Sequence, residues 1–406
     1  MQDCLRTHDC PALQDALPFL PTRVIDCSDP SHPRLFVSGH APGRYIALSY
    51  VWGEPQPYST TSSNIASYVQ HIDTQFLPQT IKDAIIITNM LGIRYLWADT
   101  LCIIQDSDED KVHELGHMKN IYRDSYLTIV VASANRVSEG FLHRREDTLR
   151  LNRADFTLPV VLPEGRGTGS VSFSPMYMEI DNPVTMDDTW YEPLKEPVHQ
   201  RAWCMQELFL SPRSLVFASH TLQYQCQKGA RNIGGADNEY WTDDRIPWSR
   251  PPPISGIPQD VKTIDDLDNI YGAWKTIVHS YTRRSISVPG DKLVALAALA
   301  EYFHAIVQAP YLAGVWQNTL LMDLLWAHVH TTGPWPRPSK YRAPSWSWTA
   351  IDGLVAYYDG CAKGCLVSVA PKTMHAFVAQ VVLCETALQD ATLPFGAVSG
   401  GVLVLR

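Results

Sequence analysis

Between residues 45 and 219 the chain alternates strand-like and helix-like runs, and this alternation constrains the fold more than any other feature. "YIALSYVW" (45–52) reads as a buried strand, closed by Gly53 and Pro55. "LPQTIKDAIIITNMLG" (77–92) has helical spacing, with Thr80 as a cap, Asp83 in the first turn and Gly92 at its end. "RYLWAD" (94–99) is a second strand, 108–124 a second helix with an acidic start, and "YLTIVVAS" (126–133) a third, β-branched strand. "QRAWCMQELFL" (200–210) and "SLVFAS" (214–219) add a helix and a fourth strand. Strand and helix in turn predict an α/β fold, a mostly parallel sheet with helices on both faces. Right-handed crossovers align the strands' carboxyl ends along one rim, where open α/β sheets bind ligands.

The flanks are less regular. Residues 1–44, rich in Pro, Ser, His and Asp, read as an irregular lead-in. Residues 135–198 scatter Gly and Pro among short strand-like pieces and read as an insertion. Residues 228–258, with "RPPP" at 250–253, read as a long loop or domain junction. Beyond it, 265–284, 290–307 and 319–328 read as helices, followed by a Trp-rich turn and terminal strands. The expected division is a lead-in (1–44), the alternating unit (45–219, with its insertion) and a mixed helical and β C-terminal region (220–406). The last residues, "GGVLVLR", are strand-like to the end, which raises the expectation of a natural chain continuing past Arg406.

Composition narrows the function. A chain of 406 residues, 45% hydrophobic, has material for two or three domains of about 150 residues each. Its net charge of −9 argues against a duplex nucleic-acid binder, which needs a basic face. No stretch approaches the ~18 apolar residues of a membrane span, and the start lacks an apolar secretory core. Nine cysteines, thinly spread and odd in number, suggest reduced thiols and a cytoplasmic or nuclear setting.

His113-Glu114-Leu115-Gly116-His117 has the spacing of a zinc protease helix. A helical projection places Leu115, Met118, Ile121 and Tyr122 on the buried stripe and both histidines on the opposite, solvated face. Glu139 and His143 are available as a third ligand, but nothing fixes them, so no metal site is expected. Glu114 borders the apolar stripe and is able to reach inward.

The rim carries more. After the first strand come Ser49, Tyr50, Trp52, Gly53 and Glu54; after the second, Asp99, Cys102 and Gln105; after the third, Ser133. Polar groups gathered at such a rim commonly serve a ligand. The plainer readings are core packing for Tyr50 and Trp52, a cap for Asp99, and an inert buried thiol for Cys102, which otherwise is a candidate nucleophile. Glu207 is the strongest candidate. Trp203, Cys204, Met205, Leu208, Phe209 and Leu210 make its helix apolar nearly all round, so the helix is buried. A glutamate there must be paired, with Arg201 or Arg213, or be protonated, or do acid/base or electrostatic work.

In order along 45–219, "YIALSYVWG", "LPQTIKDAI", "LGIRYLWADTLCIIQD", "ELGHMKNIYRDSYLTIVVASA" and "RAWCMQELFLSPRSLVF" resemble the heterokaryon-incompatibility (HET) domain of filamentous fungi. Later pieces, such as "YRAPSWSWTAIDG", resemble the region that follows it. The resemblance implies a role in fungal non-self recognition and cell death, and a flavodoxin-like sheet similar to Toll/interleukin-receptor (TIR) domains. NAD-destroying TIR enzymes carry a glutamate in a Trp-Cys-x-x-Glu-Leu-like helix. That assigns Glu207 here and implies NAD as a substrate, with no other cofactor. By the same resemblance Ser49, Tyr50, Trp52, Gly53, Asp99, Cys102, Gln105, Glu114, Met118, Tyr122, Arg201, Trp203 and Gln206 match the family's blocks. Glu207, Asp99 and Cys102 are the expected catalytic set and the others, apart from Met118 and Tyr122, the expected ligand contacts. The histidine pair lies outside the pattern. Two alternatives stand beside this one: a non-catalytic module signalling through protein partners or self-association, and an enzyme of fungal secondary metabolism using the same crevice on a small molecule.

Overall fold

The computed structural model describes residues 4, 17–143, 156–161, 168–173, 196–219, 221–227, 229–232, 263–329, 337–357 and 379–406. Its main sheet is built from β1 (Arg23–Asp26), β2 (Arg34–Val37), β3 (Tyr45–Ser49), β4 (Tyr95–Trp97) and β5 (Leu127–Val131). The strands β6 (Phe156–Val161) and β7 (Thr168–Phe173) form a separate antiparallel hairpin. The main sheet then gains β8 (Arg213–Phe217), β9 (Leu222–Cys226) and β10 (Gly229–Asn232). The eight strands lie in the order β10-β9-β8-β5-β3-β4-β1-β2.

The sheet corrects the expectation of a mostly parallel one. Three neighbouring pairs, β4 with β3, β3 with β5 and β5 with β8, are parallel. The four pairs toward the edges are antiparallel. The physical reason lies in the connections. Helical crossovers join the parallel strands, whereas β1–β2, β8–β9 and β9–β10 follow one another too closely in the chain for a crossover. The supposed irregular lead-in therefore supplies two strands of the sheet. Within the parallel part all five residues of β3 and all five of β5 are buried, as strands covered on both faces must be.

Helices α1 (Ile65–Gln70) and α2 (Gln79–Met90) connect β3 to β4. Buried Ile81, Ala84, Ile85 and Thr88 make α2's inner stripe, and Gly92, at φ +70°, ends it. Its start differs from expectation: Pro78 occupies the cap position, and the Thr80 amide donates instead to the Val137 carbonyl at 3.0 Å. Next come α3 (Asp99–Cys102) and α4 (Asp108–Arg123). Ser107 caps α4 by accepting from the Asp110 amide, and three acidic residues in the first turn suit its positive end. The buried face of α4 is Glu114, Met118, Ile121 and Tyr122, while Leu115 is exposed. The true stripe is thus rotated from the expected one, because the Glu114 carboxylate finds a buried arginine and occupies an inward position. His113 and His117 lie on the exposed face.

Helix α5 (Ala202–Leu210) precedes β8. It packs against α4, against β3, and against three C-terminal elements: α6 (Ile264–Thr282), the turn 294–296 and α7 (Ala297–Val307). Being enclosed by sheet and C-terminal region accounts for its apolar character all round. The hydrophobic core is accordingly continuous, running from Val24, Ile46 and Trp97 to Trp274, Trp316 and Trp348. The region read as a helix over 290–307 begins with two 3-10 turns (289–292 and 294–296) before α7, which ends at Gln308 with φ 50°. Over 319–328 only α8 (Leu320–Asp323) is helical; Trp326–His328 is a strand paired with Val355–Tyr357. The expected terminal strands are present at 381–388 and 398–405, and they pair antiparallel with each other.

Much of the 135–198 insertion and of the 228–258 stretch lies outside the described residues. The two ends of the insertion are nevertheless close. The Val198 amide donates to the Ala132 carbonyl at 3.3 Å, and Glu196 accepts from the Ser219 amide at 2.8 Å. Among the described residues no helix is long and apolar enough to cross a membrane.

Candidate functional site at the end of the first parallel strand

Strands β3 and β5 are neighbours, but the chain reaches β4 between them by turning the other way, so the crossover direction reverses at β3. The carboxyl ends of β3 and β5 therefore lie at the topological switch point of the parallel strands. Ser49 is the last residue of β3, and α5 passes beside it. The Ser49 hydroxyl donates to Glu207 Oε2 at 2.5 Å. Glu207 is 7% exposed, and that burial raises its pKa above the usual carboxylate range. The Arg201 cation and the Ser49 hydrogen bond oppose the shift without cancelling it.

Arg201 sits at the cap position of α5, and its Nη1 donates to the Tyr50 carbonyl at 2.5 Å. Burial works against its charge. The surrounding Cys204, Glu207, Asp99 and Tyr50 reverse this and hold its pKa above the ordinary value. Arg201 thus attracts Glu207 through space while its fork is anchored on the strand end. Cys204, a turn before Glu207, is buried and its thiol is pushed up to about 12 by burial, with the Glu207 charge adding to the effect.

Asp99 organises the other side. It accepts from the Tyr50 hydroxyl at 2.8 Å, the Trp52 indole at 3.0 Å and the Thr100 amide at 2.7 Å. Burial raises its pKa despite these donors. Asp99 stands in the first turn of α3 and also ties the two aromatic residues that follow β3. Gln105 completes the turn, donating to the Asp99 and Ile103 carbonyls at 3.0 and 3.2 Å. Gly53 is required where it stands. Its φ is +65°, and a Cβ there would lie 2.0 Å from the Asn135 carbonyl oxygen. That contact, with the Val137 amide donating to the Trp52 carbonyl at 3.0 Å, interlocks the segments leaving β3 and β5.

Ser49, Tyr50, Trp52, Gly53, Asp99, Gln105, Arg201 and Glu207 are thus assembled around one strand end. The four other candidates have different surroundings. Cys102 is buried, its sulfur accepts from the Ala98 amide at 3.5 Å, and burial pushes its thiol up to about 12. A thiol so held stays protonated at neutral pH. Glu114 is buried against Arg23, at 3.4 Å. Trp203 is partly buried, with its side chain near Asp291 of the C-terminal region. Gln206 is buried, and its Oε1 makes no hydrogen bond among the described residues.

Two arginines escape a reading of local pattern. Arg23, on β1, donates to Asp110 at 2.6 Å and to the Cys102 carbonyl at 2.7 Å, joining the first strand to α3 and α4. Arg284, just past α6, donates to the Arg201 carbonyl at 3.2 Å. Its neighbour Ser285 pairs with the chain entering α5, accepting from the Ala202 amide at 2.9 Å and donating to the Gln200 carbonyl at 2.7 Å. No spacing rule links either arginine to its partners; the contacts are long-range.

The fold and the site define an α/β protein with a buried carboxylate at the switch point of its parallel strands. Residues 45–207 match the family model described as heterokaryon incompatibility protein (HET). That part of the chain is similar to the HET domain, and the match runs from the first residue of β3 to Glu207 itself. It is also 30% identical over 114 residues to heterokaryon incompatibility protein 6, OR allele, of Neurospora crassa. That similarity covers 24% of this chain and only 16% of the Neurospora protein. No solved structure matches the chain.

Proposed function

We propose that this chain is a HET-domain protein, a cytoplasmic effector of fungal incompatibility and cell death, and that the Ser49–Glu207 site binds a nucleotide-like ligand and hydrolyses NAD. The observation that carries the reading is the Glu207 carboxylate, buried yet hydrogen-bonded at the carboxyl end of β3. The order of the four parallel strands, second-first-third-fourth along the chain, supports a flavodoxin-like, TIR-like layout with its ligand at that point. Trp52, which is only partly buried, offers a ring face for stacking, and the Arg201 charge suits a phosphate.

In the proposed reaction the bond between nicotinamide nitrogen and ribose C1′ breaks. Its electron pair goes to the ring nitrogen, cancelling the positive charge there. Water oxygen bonds to C1′ and a proton is released, giving ADP-ribose and nicotinamide. The Glu207 carboxylate stabilises the oxocarbenium charge that develops at C1′ or holds the ribose hydroxyls, in surroundings where such interactions are strong. The carboxylate must be ionised to act, and its pKa is raised, so activity falls at a higher pH than an ordinary glutamate would dictate.

The test is direct: purified full-length chain is incubated with NAD and nicotinamide is followed. Release by wild type and its loss in a folded Glu207→Gln variant supports the reading. Absence of any turnover, with cell killing retained by Glu207→Gln, favours a non-catalytic signalling module instead. Turnover of another small molecule abolished by the same variant favours a role in secondary metabolism.

A further inference from the structure

Arg284 lies outside the span that matches the HET family, yet the chain carries it to the mouth of the Glu207 helix. It follows directly on α6, and the pairing of Ser285 with residues 200–202 fixes its position beside the start of α5. Its Nη1 is used by the Arg201 carbonyl at 3.2 Å. Its Nε is buried and makes no hydrogen bond among the described residues. A buried donor on a cation is rarely left unmet in a folded protein. The negative or acidic groups that act on it are Cys204, Glu207 and Tyr281, and they do not offset burial, which holds its pKa down to about 10. Two guanidinium groups, Arg201 and Arg284, therefore flank the amino end of a nine-residue helix, itself partially positive.

We infer that Arg284 is a ligand-binding residue of the site, its unused Nε–H reserved for a phosphate or pyrophosphate group, so that the C-terminal region completes what the HET span begins. This rests on the ligand site proposed around Glu207, but not on the ligand being NAD. Arginine suits the role because its planar fork donates to two anionic oxygens at once.

The experiment uses the full-length chain and two probes, inorganic pyrophosphate and ADP-ribose, with affinities measured by calorimetry for wild type, Arg284→Gln and Arg284→Lys. Wild type is expected to bind both, and Arg284→Gln to weaken both about tenfold or more. Arg284→Lys keeps the charge without the Nε–H and is expected to bind more weakly than wild type while melting near it, which guards against mere misfolding of the glutamine variant. Pyrophosphate binding lost in Arg284→Gln, with no ADP-ribose binding by wild type, leaves the inference standing and removes the nucleotide reading. Unchanged affinities in both variants, or no binding of either probe by wild type, overturn the inference.

Discussion

Ser49 and Glu207 are separated by 158 residues of chain and joined by a 2.5 Å hydrogen bond. The bond does two things. It satisfies a carboxylate inside an apolar setting, and it locks α5 to the end of the first parallel strand. Glu207→Gln keeps an acceptor for the Ser49 hydroxyl and removes the charge. Because the folded pKa of Glu207 lies above the ordinary 4.5, ionisation burdens the folded state as pH rises from about that value through the folded one. The variant's melting temperature should therefore match wild type in acid and exceed it increasingly toward neutral pH, while NAD turnover disappears. A lower melting temperature at neutral pH would show the ionised form to be favoured by folding.

Asp99→Asn should cost about 1–3 kcal/mol of stability, the usual consequence of leaving a buried donor unmet. An amide oxygen replaces only one of the two carboxylate oxygens that now serve Tyr50, Trp52 and Thr100. Urea denaturation reads the loss directly. An unchanged midpoint would mean that the aromatic pair is held by packing alone.

Gly53→Ala should destabilise by at least about 1–3 kcal/mol, since both a positive φ and a contact with backbone oppose it. The first visible effect should be faster hydrogen exchange at the Val137 amide, which bonds the Trp52 carbonyl. Protection equal to wild type at that amide would count against the interlock described for the two strand ends.

A fragment limited to residues 45–219 should not fold as a native domain. It lacks β1, whose Arg23 is bound to Asp110 at 2.6 Å, and it lacks the C-terminal elements packed on α5. In the full chain, Arg23→Ala alone should cost about 3 kcal/mol, because it strips the partner from a largely buried carboxylate. Circular dichroism and limited proteolysis of the fragment, and denaturation of the variant, test both statements; a protease-resistant, cooperatively melting fragment refutes the first.

The parallel centre of this fold is legible in the sequence because its strands are buried on both faces and read as unbroken apolar runs, with periodic helices between. Its edges are not. β1 and β2 are four residues each and carry arginine at their first positions, so no local pattern announces them. The 319–328 run fails as a helix because Trp326–His328 finds a partner strand across the fold. At the site, Ser49, Asp99 and Glu207 are readable from topology and from the oddity of a charge in an apolar helix. Arg284 is not, since its position depends on a backbone pairing between distant segments. Glu114 reaches inward as its place beside the apolar stripe allows, but the displacement of Leu115 to the surface is not readable, since the partner on β1 that draws the glutamate in is invisible locally.

The clasp between Ala132 and Val198 ties the end of β5 to the segment that enters α5, although 65 residues of chain lie between them. The position of Glu207 beside its strand is thus secured from both sides of the intervening sequence, by the backbone bonds at Ala132 and Val198 and by those at Trp52 and Val137.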